Sequence, residues 1–463
     1  MPDDLGGFSS VDAIPAEFSD ENLALRFTAE HKNTLRYVAG WGRWLEWDGS
    51  VWHNDDTLRV YDLARRICRA ASSECDKEGV AAKVASGSTV AAVERLARAD
   101  RAHAATVGQW DTDPWLLNTP GGVVNLRTGH LRPAMATDYM TKTTAVAPSA
   151  DSCPLWLKFL DRVTAGDQDL QAYLQRVAGY CLTGSTREHA MFFAFGTGAN
   201  GKGVLINTLT GLLGGYASVA AIETFSASQT ERHPTDLAML RGARLVTAQE
   251  TEEGRRWAES KIKSLTGGDP ISARFMRQDF FTFHPAFKLL IAGNHRPGLR
   301  NIDEAIRRRF NMLPFSVRIP PEERDKTLPE QLKAEWPSIL RWAIDGCLNW
   351  QDIGLAPPKA VTDATEEYLN AEDALGLWLS ECCITARNLE LPTSDVYASW
   401  KAWSELAGEQ TGSLKRFSQA MRVRGFETAR ANHNRSVLQG IGLRPTGAGS
   451  SGRDRAAGGG WGG

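Results

Sequence analysis

Three things are scarce in this 463-residue chain: long apolar runs, paired cysteines and an excess of one charge. No stretch approaches the roughly 20 consecutive apolar residues that cross a bilayer, so neither a spanning helix nor a membrane partner is expected. The N-terminal MPDDLGGFSS is acidic and polar, without the cationic start and apolar segment of a secretory signal. The cysteines stand at positions 68, 75, 153, 181, 347, 382 and 383. Their number is odd and none forms a C-x-x-C pair, which argues against a disulfide framework and a zinc ribbon. Reduced, structural thiols in a cytoplasmic protein are the expectation. With 53 Lys+Arg against 55 Asp+Glu the net charge is -2, so a nucleic-acid surface has to be a local patch. A ring with its cations in a central pore fits that balance, and so does a metabolic enzyme.

What is present is the composition of a globular protein, 42% hydrophobic and 23% charged, long enough for about three domains. From 21 to 150, helix and hairpin signals alternate. GWGRWLEWDGSVW predicts a hairpin closed by a tight two-residue turn at Asp48-Gly49. Residues 57–75 predict a helix with Leu58, Tyr61, Ile67 and Cys68 on one face. Trp41, Trp44, Trp47, Trp52, Trp110 and Trp115 could stack on bases, but packing of small sheets is the commoner task of such residues. Residues 154–182 predict a helical connector through Trp156, Phe159, Leu160 and Val163. Beyond it, short apolar strands at 191–195, 244–248 and 287–292 alternate with helical segments, the pattern of an α/β fold with a mostly parallel sheet. Helix returns at 328–350. Between 415 and 435 the chain is locally basic, with Lys415, Arg416, Arg422, Arg424, Arg430 and Arg435 against Glu427 alone. The Gly/Ser-rich tail is expected to be disordered.

The strongest motif is GTGANGKG, directly after MFFAF. Gly196 and Gly201-Lys202 fit G-x-x-x-x-G-K, and Leu205, Leu209, Leu212 and Leu213 then mark one face of a helix. Strand, glycine loop and helix together specify a P-loop, in which Gly196, Thr197, Gly198, Ala199, Asn200, Gly201, Lys202, Gly203 and Val204 would bind ATP. Lys202 would reach the β- and γ-phosphates. Ser or Thr usually follows the lysine and binds Mg²⁺, but Gly203 stands there, so a water would have to fill that ligand position. Downstream, RLVTAQETEEG puts Glu250 at the end of a strand with Glu252 nearby. One would hold Mg²⁺ and the other orient the attacking water; Glu250 is favoured for the metal and Glu252 as base. Asn294 ends the strand FKLLIAGN and could contact the γ-phosphate or water, or simply form a turn before Pro297. Arg307, Arg308 and Arg309 are consecutive, so at most one or two can point into a neighbouring site.

In order and spacing, GTGANGKG, RLVTAQETEEGRRW, KIKSLTGGDPISARFMRQDFFTF, KLLIAGNHRP and DEAIRRRF resemble superfamily 3 helicases. Within these, the phage/plasmid primase–helicase branch that includes the poxvirus replication ATPase is the most similar. The resemblance covers roughly residues 20 to 345. It implies Lys202 as the Walker A lysine, Glu250 and Glu252 as Walker B acids, Asn294 as sensor, and Arg308 and Arg309 as the arginine pair. It also implies Lys263, Arg274 and Arg277 in contact with single-stranded DNA through a pore hairpin.

The fold it implies is an AAA+-like P-loop ATPase core at 186–320. A flexible start (1–20), a helical and hairpin domain (21–150) and a connector (151–185) would precede the core. A lid (321–365), a winged-helix-like domain (366–445) on duplex origin DNA, and a disordered tail (446–463) would follow. The expected assembly is a hexameric ring in a bacterial host cell, moving three-prime to five-prime with a separate primase or polymerase, since only about 20 residues precede the shared region. Two rival readings are an ATP-binding initiator scaffold with little hydrolysis and a P-loop small-molecule kinase.

Overall fold

The computed structural model describes residues 15–444 apart from 228–234, 250–253, 278, 301, 410 and 432–434. The chain divides into two units, Met1–Gly298 with Glu304–Thr365, and Leu299–Asp303 with Glu366–Gly463.

The first unit begins with the helices Asp20–His31, Arg59–Ser73, Glu78–Val84 and Gly87–Ala99 beside a four-stranded sheet. In the helix Arg59–Ser73 the buried face is Val60, Leu63, Ala64, Ile67, Cys68 and Ala71. Leu58 and Tyr61 are exposed, and Leu58 is the N-cap, at φ 61°. The face predicted from sequence is therefore right for Ile67 and Cys68 and wrong for the other two. The aromatic hairpin is present, but its turn is longer than two residues. Trp47 pairs with Trp52 across residues 48–51, and the Asp48 carboxylate accepts the Ser50 and Val51 amides at 2.7 and 2.8 Å. A side-chain-supported loop thus replaces the tight turn. Trp44, Trp52 and Trp110 are buried among other rings, so these tryptophans pack the module.

The connector is two helices, α1 (Pro154–Val163) and α2 (Gln168–Leu182). The Glu335 carboxylate accepts the Leu155 and Trp156 amides at 3.0 and 2.8 Å, placing negative charge at the N-terminus of α1. Glu335 belongs to α5 (Leu328–Ile353), the helix expected as a lid. That helix is fastened to α2: a Cβ on Gly179 would lie 2.0 Å from Cys347 N, and one on Gly346 2.1 Å from Gln175 O. Only glycine allows backbones so close, and the two helices share the largest hydrophobic core among the described residues.

That core also includes a parallel sheet of β1 (Met191–Phe195), β2 (Ala217–Val219), β3 (Leu245–Gln249), β4 (Lys288–Gly293) and β5 (Phe310–Pro314), in the order β5-β1-β4-β3-β2. β1, β3 and β4 are the strands that their apolar runs announce. β2 has only three residues, none of them buried, and β5 follows the arginines; neither reads as strand in the sequence. The P-loop helix α3 (Lys202–Leu213) connects β1 to β2, and α4 (Glu259–Gly267) follows β3. At the lower edge, Arg244 donates to the carbonyls of Leu182 and Leu116, both at 2.7 Å. Lys288 donates to those of Thr183, Ser185 and Ala286. Both cations are buried, and they meet the negative end of α2.

The second unit runs α6 (Ala374–Cys382), β6 (Cys383–Pro392), α7 (Thr393–Leu406), α8 (Leu414–Val423), β7 (Thr428–Ala431) and β8 (Arg435–Leu443), with sheet order β6-β8-β7. Trp378, Val396, Trp400, Phe417, Met421, Leu438 and Ile441 form its core. Phe417 and Met421 face inward from α8, leaving Lys415, Arg416, Gln419 and Arg422 on its outer side. No helix among the described residues is long and apolar enough to cross a membrane.

Candidate functional site

The order of the sheet fixes where ligands can approach. β1 lies between β5 and β4, so the chain passes to both sides of it, and the crevice beyond its carboxyl end is a topological switch point. The loop 196–201 fills that crevice. Gly196, Gly198, Ala199 and Gly201 all have positive φ, at 153°, 91°, 50° and 85°. A Cβ on Gly196 would lie 2.2 Å from both Phe315 O and Asn200 Nδ2, so this bend accepts glycine alone. Asn200 is buried and donates to Phe315 O at 2.9 Å, while Ile319 N donates to Ala199 O at 2.9 Å. Val163 and Phe159 of α1 pack on Gly201 from behind. The loop is thus held from three sides, with backbone left to line a cradle opening onto the N-terminus of α3, a geometry that suits phosphate.

Lys202 opens that helix and is only 6% exposed. Its ammonium donates to Gly196 O at 2.7 Å, Asn200 Oδ1 at 3.0 Å and Asn294 Oδ1 at 3.2 Å. Burial pushes it below the ordinary lysine value, and the three oxygens favour its charged form. Asn294 follows β4, the strand beside β1, which explains how residues 92 apart in sequence meet. Four of the residues selected from sequence, Gly196, Asn200, Lys202 and Asn294, are therefore joined by these contacts. Arg296 adds a cation near the same mouth, its guanidinium 4.2 Å from the centre of the Phe195 ring.

Glu250 and Glu252 lie outside the described residues. The last described residue of β3 is Gln249, which the sequence reading passed over. Its Oε1 lies 4.0 Å from where a Cβ on Gly203 would be, and its Nε2 donates to Asn207 Oδ1 at 2.9 Å. Thr197 and Val204 occupy the expected loop and helix positions around Lys202. No group of three or more His, Cys, Asp or Glu side chains able to hold a metal occurs among the described residues. The backbone cradle and buried ammonium fit a nucleotide's phosphates, and the amide oxygen facing Gly203 fits a hard divalent cation.

The arginine pair is divided by its surroundings. Arg308 is exposed. Arg309 is buried, donating from Nε to Thr266 Oγ1 at 3.0 Å and from Nη1 to Ala305 O at 2.7 Å. Its guanidinium fastens the turn before β5 to α4, which does not suit a side chain expected to reach out of its own subunit.

The expected hairpin is present. Ile271–Ala273 pairs antiparallel with Phe281–Phe283, and the loop between them carries Arg274 and Arg277. Arg277 is exposed at φ 61°, and Arg274 lies 4.8 Å from the centre of the exposed Phe280 ring. Phe275 and Met276 are exposed on the same loop, while Lys263 is half-buried on α4.

Residues 24–165 match the family model described as D5 N terminal like, and residues 194–309 match a family of unknown function. Among curated proteins, a candidate helicase of Acanthamoeba polyphaga mimivirus is 23% identical over 319 residues, covering 63% of this chain and 33% of the viral protein. Candidate helicases of Frog virus 3 and Invertebrate iridescent virus 3 are each 24% identical, covering 54% and 63% of this chain and 28% and 35% of theirs. The chain thus spans about a third of the length of these relatives. Of solved structures, an apo form of the NrS-1 C-terminal region is similar in fold, with TM-score 0.50 at 10% identity over 91% of this chain and all of that one. The order of the motifs, the D5 N terminal like match over residues 24–165 and the similarity to these viral candidate helicases together support a relationship to the D5-like primase–helicase family of superfamily 3.

Proposed function

We propose that the chain is the ATP-hydrolysing motor of a phage- or plasmid-type replicative DNA helicase: an AAA+-like P-loop ATPase that assembles as a hexameric ring and translocates on single-stranded DNA. The observation that carries this reading is the contact between Asn294 and Lys202. Inserting β4 between β1 and β3 sets a polar amide between the phosphate lysine and the strand leading to Glu250. That is where a side chain senses the terminal phosphate or its attacking water.

Lys202 and the loop amides would bind the phosphates, and Glu250 and Glu252 would serve the metal and the water. Bound Mg²⁺ would neutralise charge on the β- and γ-phosphates. Of the arginine pair, exposed Arg308 is the one suited to complete a neighbour's site. Arg274, Arg277 and Lys263 would meet the phosphates of a single strand. The cationic hairpin has no evident use in a small-molecule kinase, which counts against that reading.

The helix–strand–helix–helix–strand–strand order of the second unit supports a winged-helix assignment, with α8 as the helix that enters the major groove of duplex origin DNA. A separate primase or polymerase would act alongside. Gly203 favours the rival reading of an ATP-binding initiator scaffold, because it removes a usual metal ligand.

Strand displacement from forked duplexes separates the two. A motor displaces the annealed strand only with ATP, on a three-prime-tailed fork, and as hexameric particles. A monomer that displaces nothing from forks of either polarity contradicts the motor.

A further inference from the structure

The departure at Gly203 and the unassigned side chain of Gln249 face each other. In a P-loop the residue after the lysine supplies a hydroxyl to Mg²⁺. Here that residue has no side chain, and apart from its chain neighbours and its own helix backbone, the one atom of the described residues that a Cβ there would approach within 4 Å is Gln249 Oε1, at 4.0 Å. A primary amide has two chemically different ends. Gln249 Nε2 is engaged as donor to Asn207 Oδ1 at 2.9 Å, which leaves the oxygen as the end turned toward Gly203. Asn207 is four residues after Gly203 on α3, one turn along the same face, so one helix carries both the gap and the group that orients its filler. Behind this pair, Thr210 and Thr247 continue the polar seam between α3 and β3, their hydroxyls 3.3 Å apart.

We propose that Gln249, held by Asn207, supplies the oxygen that faces the catalytic Mg²⁺ in place of the missing P-loop hydroxyl. The proposal rests on the nucleotide-site reading above. Mg²⁺ is a hard cation that takes oxygen ligands and keeps several waters, so a neutral amide oxygen serves it directly or through one of those waters. Gln249 is well placed for this role: it ends β3 at the carboxyl edge of the sheet, in register with Ala292, two residues before Asn294. Gly203 and Gln249 thus work as a matched exchange, the longer side chain on the strand replacing the shorter one absent from the helix. Asn207 is a positioning residue, acting only through Gln249.

The test uses the full chain with ADP and Mn²⁺ as the probe, reading bound metal by electron paramagnetic resonance and ADP binding separately in the absence of metal. Gln249→Ala is expected to weaken Mn²⁺ affinity of the ADP complex by roughly 10–100-fold, the usual effect of removing a group that serves a metal site, with metal-free ADP binding unchanged. Asn207→Ala should show a smaller loss of the same kind. Adding Gly203→Ser to Gln249→Ala should restore Mn²⁺ affinity, because the space beside Gly203 accepts a side chain. Mn²⁺ affinity unchanged in Gln249→Ala overturns the assignment and leaves the P-loop reading standing. Loss of metal-free ADP binding in that variant shows a merely structural side chain and also overturns it. No ADP binding by the wild type, with or without metal, overturns both.

Discussion

Arg308 and Arg309 are adjacent in sequence and opposite in environment, which gives them separable predictions. Arg309 holds Thr266 and Ala305 from a buried position, so Arg309→Ala removes both of these hydrogen bonds and should cost roughly 1–3 kcal/mol, read as a lowered melting temperature. Arg308→Ala should leave melting and ATP binding unchanged and reduce turnover steeply; the comparable cation in GTPases contributes roughly 10³–10⁵ in rate. Full turnover in Arg308→Ala would remove it from the neighbour's site. Sequence alone selects the pair and cannot divide it, because the division depends on where α4 lies. Lys202 and Asn294 were legible, since a strand and a loop motif announce each. Gln249 was not: an amide among three nearby acids has no distinguishing signal until α3 is laid beside β3.

The hairpin between α4 and β4 is the element that tests contact with DNA. Replacing Arg274 or Arg277 with Ala should weaken single-strand binding and flatten its dependence on salt by about 0.7 for each DNA phosphate that is no longer neutralised. An unchanged salt slope in both variants would mean that the loop does not touch the strand. The junction below the sheet makes a different prediction, in pH. Burial pushes the Lys288 ammonium down to about 7, whereas an unfolded lysine titrates near ~10.4. Between those values the unfolded chain holds a proton that the folded chain has released, so stability rises with pH by up to ~1.4 kcal/mol per unit. Above pH ~9 the unfolded chain releases thiol protons that the folded chain keeps, because burial pushes Cys68 up to about 11 and Cys181, Cys347 and Cys383 up to about 12. Stability should therefore climb from pH 7, turn near pH ~9 and fall beyond it. Lys288→Met should remove the climb and keep the fall; an identical climb in the variant would show that another group causes it. These elements were unevenly legible. Apolar runs mark β1, β3 and β4, while three-residue β2 is fixed by pairing with β3, and the arginines before β5 disguise its burial. Likewise, the sequence shows α5 as a long helix, but only Gly179 against Gly346 reveals that it is clamped to α2.

At the scale of the whole molecule, a net charge of -2 accompanies local basic surfaces, at the hairpin in one unit and along α8 in the other. The charge balance is therefore compatible with nucleic-acid work in both. The chain divides near residue 365, within the helix Lys359–Ala371, and the second unit also takes in Leu299–Asp303. The central claim concerns what the first unit does with ATP, and the rate of ATP hydrolysis with and without single-stranded DNA, in the wild type and in Lys202→Ala, tests it most directly. A motor hydrolyses ATP, accelerates on single-stranded DNA, and loses both activities with Lys202. Retained ATP binding with negligible turnover that DNA does not change would contradict the motor and favour the initiator scaffold.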